Sequence, residues 1–266
     1  MRQRSWAQLR VTFVAMWIAC IAAPLGSAVH AAPLDPAVVR GKSVLYVANM
    51  TKLEKARATP QADPKRIPAL EAWRRNDLAV VAYLQSLGLR VKPVDENAPA
   101  EMARGQDLIL ISESVDAVDV GAKYRAVPVP LITFENDLLG ELEMTGFKNG
   151  RDFGTDDSQR FLYVVNAPHP LSGGLAAGIQ NVLTDEHFKM NWGKPGLGAI
   201  TIATLLGEPD KAAVFAYERG ATMNGEYLAP ARRVSFFLWQ YTFEGLRPEG
   251  LAMFRAAILW SLTRPE

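Results

Sequence analysis

The side chains best suited to chemistry in this sequence sit in short polar stretches that directly follow apolar ones. Ser112-Glu-Ser114 follows Asp107-Leu-Ile-Leu-Ile111, and Glu135-Asn-Asp137 follows Pro128-Val-Pro-Leu-Ile-Thr-Phe134. Carboxylates such as Glu113 and Glu135, together with His169, are the candidate catalytic groups, because acid/base work needs titratable groups within hydrogen-bond reach of one substrate. Ser112, Glu135, Asn136, Glu218 and Arg233 are the candidate ligand-binding groups. Glu218 and Arg233 could hold a carboxylate or a sugar hydroxyl, or pair with each other across neighbouring strands. His169 stands between Pro168 and Pro170. It is either an acid, base or ligand held rigidly, or a residue that fixes a turn through backbone hydrogen bonds. Asp185-Glu-His187 has ligand-type residues, but successive side chains rarely converge on one ion, so no metal site is expected. Trp192, Trp239 and Tyr241 could stack on a sugar ring or belong to the core. There is no Gly-x-Ser-x-Gly turn, so a serine-hydrolase elbow is not expected.

Composition narrows the classes further. The chain has 266 residues, 49% hydrophobic and 21% charged, with a formal net charge of +1, which suits one substantial globular core. The basic residues are dispersed, so neither nucleic acid nor an anionic membrane surface is an expected partner. Arg2, Arg4 and Arg10 precede an apolar run over 11–25, and Val29-His-Ala31 follows with small residues, the pattern of a secretory signal over 1–32. The competing reading is an N-terminal anchor, but the run is shorter than the roughly 20 residues that span a bilayer. The expectation is therefore one α/β domain over 33–266, periplasmic or secreted, with no stable membrane span once the signal is removed. Cys20 is the only cysteine and would leave with the signal. That excludes a disulfide, a thiolate nucleophile and a cysteine-ligated metal from the mature chain, and no cofactor is expected.

The elements that must position these groups follow from periodicity. Residues 44–48 are β-prone, and 49–68 read as a long polar loop. Residues 68–87 repeat apolar side chains at helical spacing and end on Gly88, where a C-terminal glycine belongs. Short strands are expected over 90–94, 107–111 and 129–133; the second has the unbroken apolar run of a strand covered on both faces. A helix is expected from Leu138 onward. Strands separated by crossovers imply a parallel, doubly wound sheet, whose ligands gather at strand C-termini. Residues 161–165, 179–183, 199–206, 212–217 and 233–239 read as further strands, and 248–263 as an amphipathic helix. Gly41-Lys-Ser43 precedes a strand, whereas a phosphate-binding loop follows one, so it carries no phosphate-binding expectation.

Leu131-Ile-Thr-Phe-Glu-Asn-Asp-Leu-Leu139 resembles the nucleophile elbow of class I glutamine amidotransferases, a Gly-x-Cys-x-Gly turn followed shortly by a Leu-Leu pair. Matching the Leu pairs puts Thr133 at the family's cysteine and Glu135 at its second glycine. The family's later His-x-Glu is also missing, since Pro170 and Leu171 follow His169, and Phe188 and Lys189 follow His187. Over most of the chain, the order of 44–49, 107–113, 129–139, His169-Pro-Leu-Ser-Gly-Gly-Leu175 and the block from Tyr217-Glu-Arg-Gly220 through Ala231-Arg-Arg-Val234 to Trp260 is similar to secreted, amidotransferase-like proteins of the trehalose-utilisation (ThuA-like) group. The resemblance implies a flavodoxin-like three-layer sandwich whose mostly parallel central sheet is extended by partly antiparallel strands in the second half. It also implies loss of glutaminase chemistry with the cysteine and a link to carbohydrate-related proteins. The expected function is binding of a small polar ligand, or of an envelope protein, at the C-terminal strand edge. The alternative is a periplasmic enzyme acting on a carbohydrate-related compound through Glu113, Glu135 and His169.

Overall fold

The computed structural model describes residues 35–263 apart from 60–62, 64, 158 and 186; the signal assigned to 1–32 lies outside the described residues. In chain order the elements are β1 Ser43–Ala48, α1 Lys52–Ala58, α2 Arg66–Ser86, β2 Arg90–Asp95, β3 Leu108–Ile111, α3 Ala117–Val120, β4 Leu131–Thr133, β5 Phe153–Asp156, β6 Phe161–Val164, β7 Gly178–Asn181, β8 Met190–Gly193, β9 Ile200–Leu205, β10 Glu208–Tyr217, β11 Arg233–Phe236 and α4 Pro248–Leu262. Among the described residues eleven strands join one sheet, nine of them in the order β2-β1-β3-β4-β11-β10-β9-β6-β7. The first five run parallel. This is the flavodoxin-like 2-1-3-4-5 arrangement, with β11 as the fifth strand. From β11 onward β10, β9, β6 and β7 are antiparallel, and the β5–β8 pair attaches to β10.

The apolar run of β3 is explained by the layers above and below it. Leu108 and Leu110 join the core under α2 and α4, with Val80, Leu84, Phe254 and Ile258. Ile109 and Ile111 face the opposite way, into a second core with Val120, Tyr124, Leu138 and Leu139. Side chains alternate faces along a strand, so a strand covered on both faces has no position left for a polar residue. The second layer is built mostly from turns rather than long helices. In particular, the helix expected from Leu138 is only a 3-10 turn over Asn136–Leu138. Leu138, Leu139 and Leu142 are nevertheless buried, which accounts for their helix-like spacing.

Several boundaries differ from expectation. The loop expected over 49–68 contains α1, whose one buried side chain is Leu53, too little apolar periodicity to announce a helix. The strands β5 and β8 were not expected, because Phe153-Gly-Thr-Asp156 and Met190-Asn-Trp-Gly193 lack sustained alternation and become strands by pairing with each other. Gly88, at φ +90, ends α2 as expected. Lys42 and Ser43 are structural: Lys42 Nζ and Ser43 N–H bond the Asp107 carboxylate at 2.9 and 2.8 Å, tying β1 to β3 at their N-terminal ends.

Candidate functional site

The register decides which polar groups meet. Ile111 pairs with Thr133, and Val47 with Ile111, so β1, β3 and β4 stop at one level. Glu113 and Glu135 each lie two residues past that level, on neighbouring parallel strands, and both are turned into the same electrostatic environment. Burial raises the Glu113 pKa well above the usual carboxylate range, and the charge of Glu135 raises it further, against a hydrogen bond of 2.9 Å from Gln240 N–H to its Oε2. Glu135 is 6% exposed; burial pushes its pKa up to about 8, opposed by the Asp137 N–H donating to its Oε1 at 2.9 Å and by the charge of Lys52. Desolvation disfavours the charged carboxylate, and neighbouring carboxylates add to that effect.

Thr133 holds the corner. Its Oγ1 accepts the Glu135 N–H at 3.1 Å and donates to the Glu135 carbonyl at 3.3 Å, closing a side-chain turn on its own strand end. Thr133 is 1% exposed. Asn136 Nδ2 donates to Thr155 Oγ1 at 3.3 Å, and Thr155 Oγ1 donates to Asn191 Oδ1 at 2.8 Å. Asn191 in turn donates to the carbonyls of Phe134 and Leu238 at 2.8 and 3.1 Å, which fastens the corner to the antiparallel half. Asn136 is thus a link in a part-buried network that runs through the exposed Thr155.

A second network lies beside the pair. Asp77 of α2 is buried, and its Oδ1 accepts the Tyr46 hydroxyl at 2.7 Å and the Ser112 hydroxyl. Ser112 Oγ accepts the Ser114 N–H at 3.2 Å, and Ser114 Oγ accepts the Asn49 N–H at 3.1 Å. Asn49 also donates to Glu96, and its Oδ1 accepts the Lys52 N–H at 2.7 Å, leading the chain into α1. Burial raises the Asp77 pKa, and the Ser112 and Tyr46 hydroxyls pull it back. A shallow cleft between α1 and α2 opens onto Asp77 and Ser114.

The remaining candidates lie elsewhere. Arg232 precedes β11, and its carbonyl accepts the N–H of Leu131 at the start of β4, so it lies at the N-terminal edge of the parallel strands. The ion pair expected between Glu218 and Arg233 forms instead between Glu218 and Arg232, bidentate at 2.7 and 3.1 Å. Successive strand residues point to opposite faces, so only one of the two arginines can reach Glu218. Arg233 is 0% exposed and donates to the carbonyls of Val127, Val129, Arg125 and Arg232, so its guanidinium pins the segment before β4. His169 is at that same opposite edge, packed on Trp260 at 6.2 Å, with its Nδ1 accepting the Leu171 N–H at 3.1 Å to cap a short 3-10 turn. Burial lowers its pKa. It does not meet Glu113 and Glu135, and the turn-holding reading describes its contacts. His187 pairs with Asp185; Glu186 lies outside the described residues, and no group of His, Cys, Asp and Glu able to hold a metal occurs among the described residues.

Sequence reasoning missed Tyr46, Asn49, Lys52, Asp77, Asn191 and Gln240. One signal was available: Asp77 stands seven residues after Leu70 and four after Trp73, on the apolar stripe of α2, where a carboxylate needs a reason.

The fold and site thus define an α/β protein of flavodoxin-like strand order, with a polar, carboxylate-rich C-terminal edge and no helix among the described residues long and apolar enough to cross a membrane. No protein-family model and no curated protein sequence matches the chain. Among solved structures it is similar to a protein assigned as a GMP synthase subunit from Thermoplasma acidophilum, at 12% identity and a TM-score of 0.47 over 84% of this chain and 95% of that one. A protein assigned as ThuA-like from Bacteroides uniformis gives 12% identity and a TM-score of 0.47 over 84% of this chain and 91% of that one. The N-terminal domain of mmIFT52 gives 11% identity and 0.46 over 84% and 98%.

Proposed function

We propose that this protein is an exported α/β domain that binds a small polar ligand at the C-terminal edge of its parallel strands and does not hydrolyse glutamine there. The observation that carries the reading is the state of the corner at Thr133. A hydroxyl closed into its own turn, with the backbone of Glu135 as its only hydrogen-bond partner among the described residues, has no base there to activate it as a nucleophile. Around it, Glu113, Glu135, Ser114 and Lys52 remain as groups able to recognise polar atoms. The expected result is no release of ammonia from glutamine and no cleavage of p-nitrophenyl acetate above the blank, together with saturable binding of a polar compound that Glu135→Gln weakens. Turnover of either substrate that disappears in Thr133→Ala would overturn the proposal. Export is tested separately, by cell fractionation and N-terminal sequencing of the recovered protein.

A second reading is favoured by one observation. Two carboxylates on adjacent strands, one with a pKa near 8, are the kind of group that can give and take a proton near neutral pH. In that reading Glu113 and Glu135 are the acid/base groups of an enzyme, without His169. A substrate whose turnover follows a pH profile that Glu135→Gln abolishes, while binding persists, would select it over the first.

A further inference from the structure

The two ends of the sheet are built differently. At one end β2 reads Arg90-Val-Lys-Pro-Val-Asp95, with Arg90, Lys92 and Pro93 exposed. Charge and proline on an outermost strand keep its free backbone from pairing with another chain. At the other end β7 reads Gly178-Ile-Gln-Asn181, and from Leu171 to Thr184 the chain carries neither a charged residue nor a proline. The register shows what this unguarded strand offers. Val182 N–H donates to the Arg160 carbonyl at 2.9 Å, and Tyr163 lies opposite Ile179. Backbone direction alternates along an antiparallel strand, so Gly178, Gln180 and Val182 turn their polar groups to β6, and Ile179 and Asn181 turn theirs outward. The Ile179 N–H and carbonyl take no turn or loop bond among the described residues. Its side chain faces away from the core. Leu162 and Val164 of β6 join the core that contains α4, whereas Tyr163, Val165 and Ile179 are 45%, 47% and 58% exposed.

We propose that β7 is the pairing edge of a two-fold dimer, lying antiparallel to β7 of a second copy with the axis at Ile179, so that the two sheets become one. The register selects a second copy over a foreign strand. With the axis at Ile179, that residue meets its own counterpart in a hydrogen-bonded pair, and Tyr163 stands behind each. The exposed row Tyr163-Ile179 of one copy is then continued by Ile179-Tyr163 of the other, which covers both. Moving the axis to Gln180 sets each Ile179 against Asn181 and breaks that row. A strand without charge meets itself without repulsion, and it has no charge with which to select a partner of opposite sign. The strand is short, so the contact is small and a dissociation constant in the micromolar range is expected. The polar edge is a separate matter: the antiparallel half lies between β7 and β4, so either reading can fail alone.

The test is sedimentation equilibrium of the full chain from about 1 μM to about 1 mM, the span in which a contact of this size is populated. The parent is expected to approach twice the monomer mass. Ile179→Lys sets two ammonium groups against each other across the axis and weakens the dimer about a hundredfold or more, and Ile179→Glu does the same with two carboxylates. An equal mixture of the two variants pairs opposite charges and restores association to within about tenfold of the parent, which damaged folding could not do. Val118→Lys, 89% exposed on α3, leaves the dimer unchanged. The apolar run over 11–25 is the same in all these proteins, so only differences between them are read. A parent that stays monomeric to about 1 mM overturns the proposal and leaves β7 to a foreign strand. A dimer equally strong in Ile179→Lys, or a mixture that associates no better than either variant alone, also overturns it.

Discussion

Glu135 joins three properties that pull against one another. It caps the 3-10 turn with its side chain, it is nearly fully buried, and its pKa is pushed up to about 8. A carboxylate raised above its unfolded value holds its proton more tightly in the folded protein, so it favours folding most below the unfolded pKa, and that contribution is lost as pH rises through the folded pKa. The window thus runs from near 4.5 to near 8. Glu113 acts with the same sign, whereas the lowered pKa of His169 acts oppositely, favouring folding as pH rises toward its ordinary value. Asp95, Asp107 and Asp152 are lowered and act only in the acid range. The contribution of Glu135 is isolated by comparing parent and Glu135→Gln in urea unfolding at pH 5 and pH 8. The variant is expected to lose less stability across that interval than the parent. Identical pH dependence in the two proteins would show that Glu135 is not held neutral by its surroundings.

At the scale of elements, the C-terminal end of α4 is held by two side chains, Arg232 and Thr263, whose hydroxyl donates to the Leu259 carbonyl at 2.8 Å. Arg232 donates to the carbonyls of Trp260 and Thr263, lies over the Trp260 ring at 4.2 Å, and forks onto Glu218. It satisfies helix-end carbonyls that would otherwise be unpaired. The Glu218 side chain is 38% exposed, so the ion pair itself is screened. Glu218→Gln is expected to cost under about 1 kcal/mol. Arg232→Ala removes the carbonyl bonds and the ring contact as well, and is expected to cost about 2–4 kcal/mol by chemical denaturation. Equal losses would assign the stabilisation to the ion pair. The turn capped by His169 abuts the other side of α4: Gly173 has φ +67, and a Cβ there would lie 2.7 Å from the Ala252 carbonyl carbon. Gly173→Ala therefore meets both an unfavourable backbone conformation and a backbone clash, and is expected to lower the melting temperature by several degrees, roughly the effect of 1–3 kcal/mol.

For the whole molecule, one sheet carries two tasks. The five parallel strands present the polar edge; the antiparallel half braces it through Asn191, and the segment after β11 does so through Gln240. Burial on both faces makes the parallel half the centre of stability. Leu84→Ala, which opens the core between α2 and the sheet, is expected to cost about 2–5 kcal/mol, whereas Leu78→Ala on the same helix, 58% exposed, should stay within about 0.5 kcal/mol. Similar losses at the two sites would contradict the layer arrangement.

The apolar runs at β1, β3 and β4 and the spacing of α2 and α4 were legible because burial imposes a period on the residues themselves, and that period survives in the chain without knowledge of any partner. The placement of Ser112, Glu113, Glu135 and Asn136 past strand ends was legible for the same reason. What the chain order could not show was contact between distant segments. β4 is sandwiched between β3 and β11, which begins a hundred residues after β4 ends, and β5 and β8 become strands through each other. Strand order and register placed Glu113 beside Glu135 and brought Asp77 of α2 onto Tyr46 and Ser112. They also sent His169 and Glu218 to the opposite edge with Arg232. Local periodicity determined which residues are buried and which end in polar turns, because hydrophobic burial acts along each element; only the tertiary structure decided which of those turns share a site, because that depends on pairings between elements far apart in the chain.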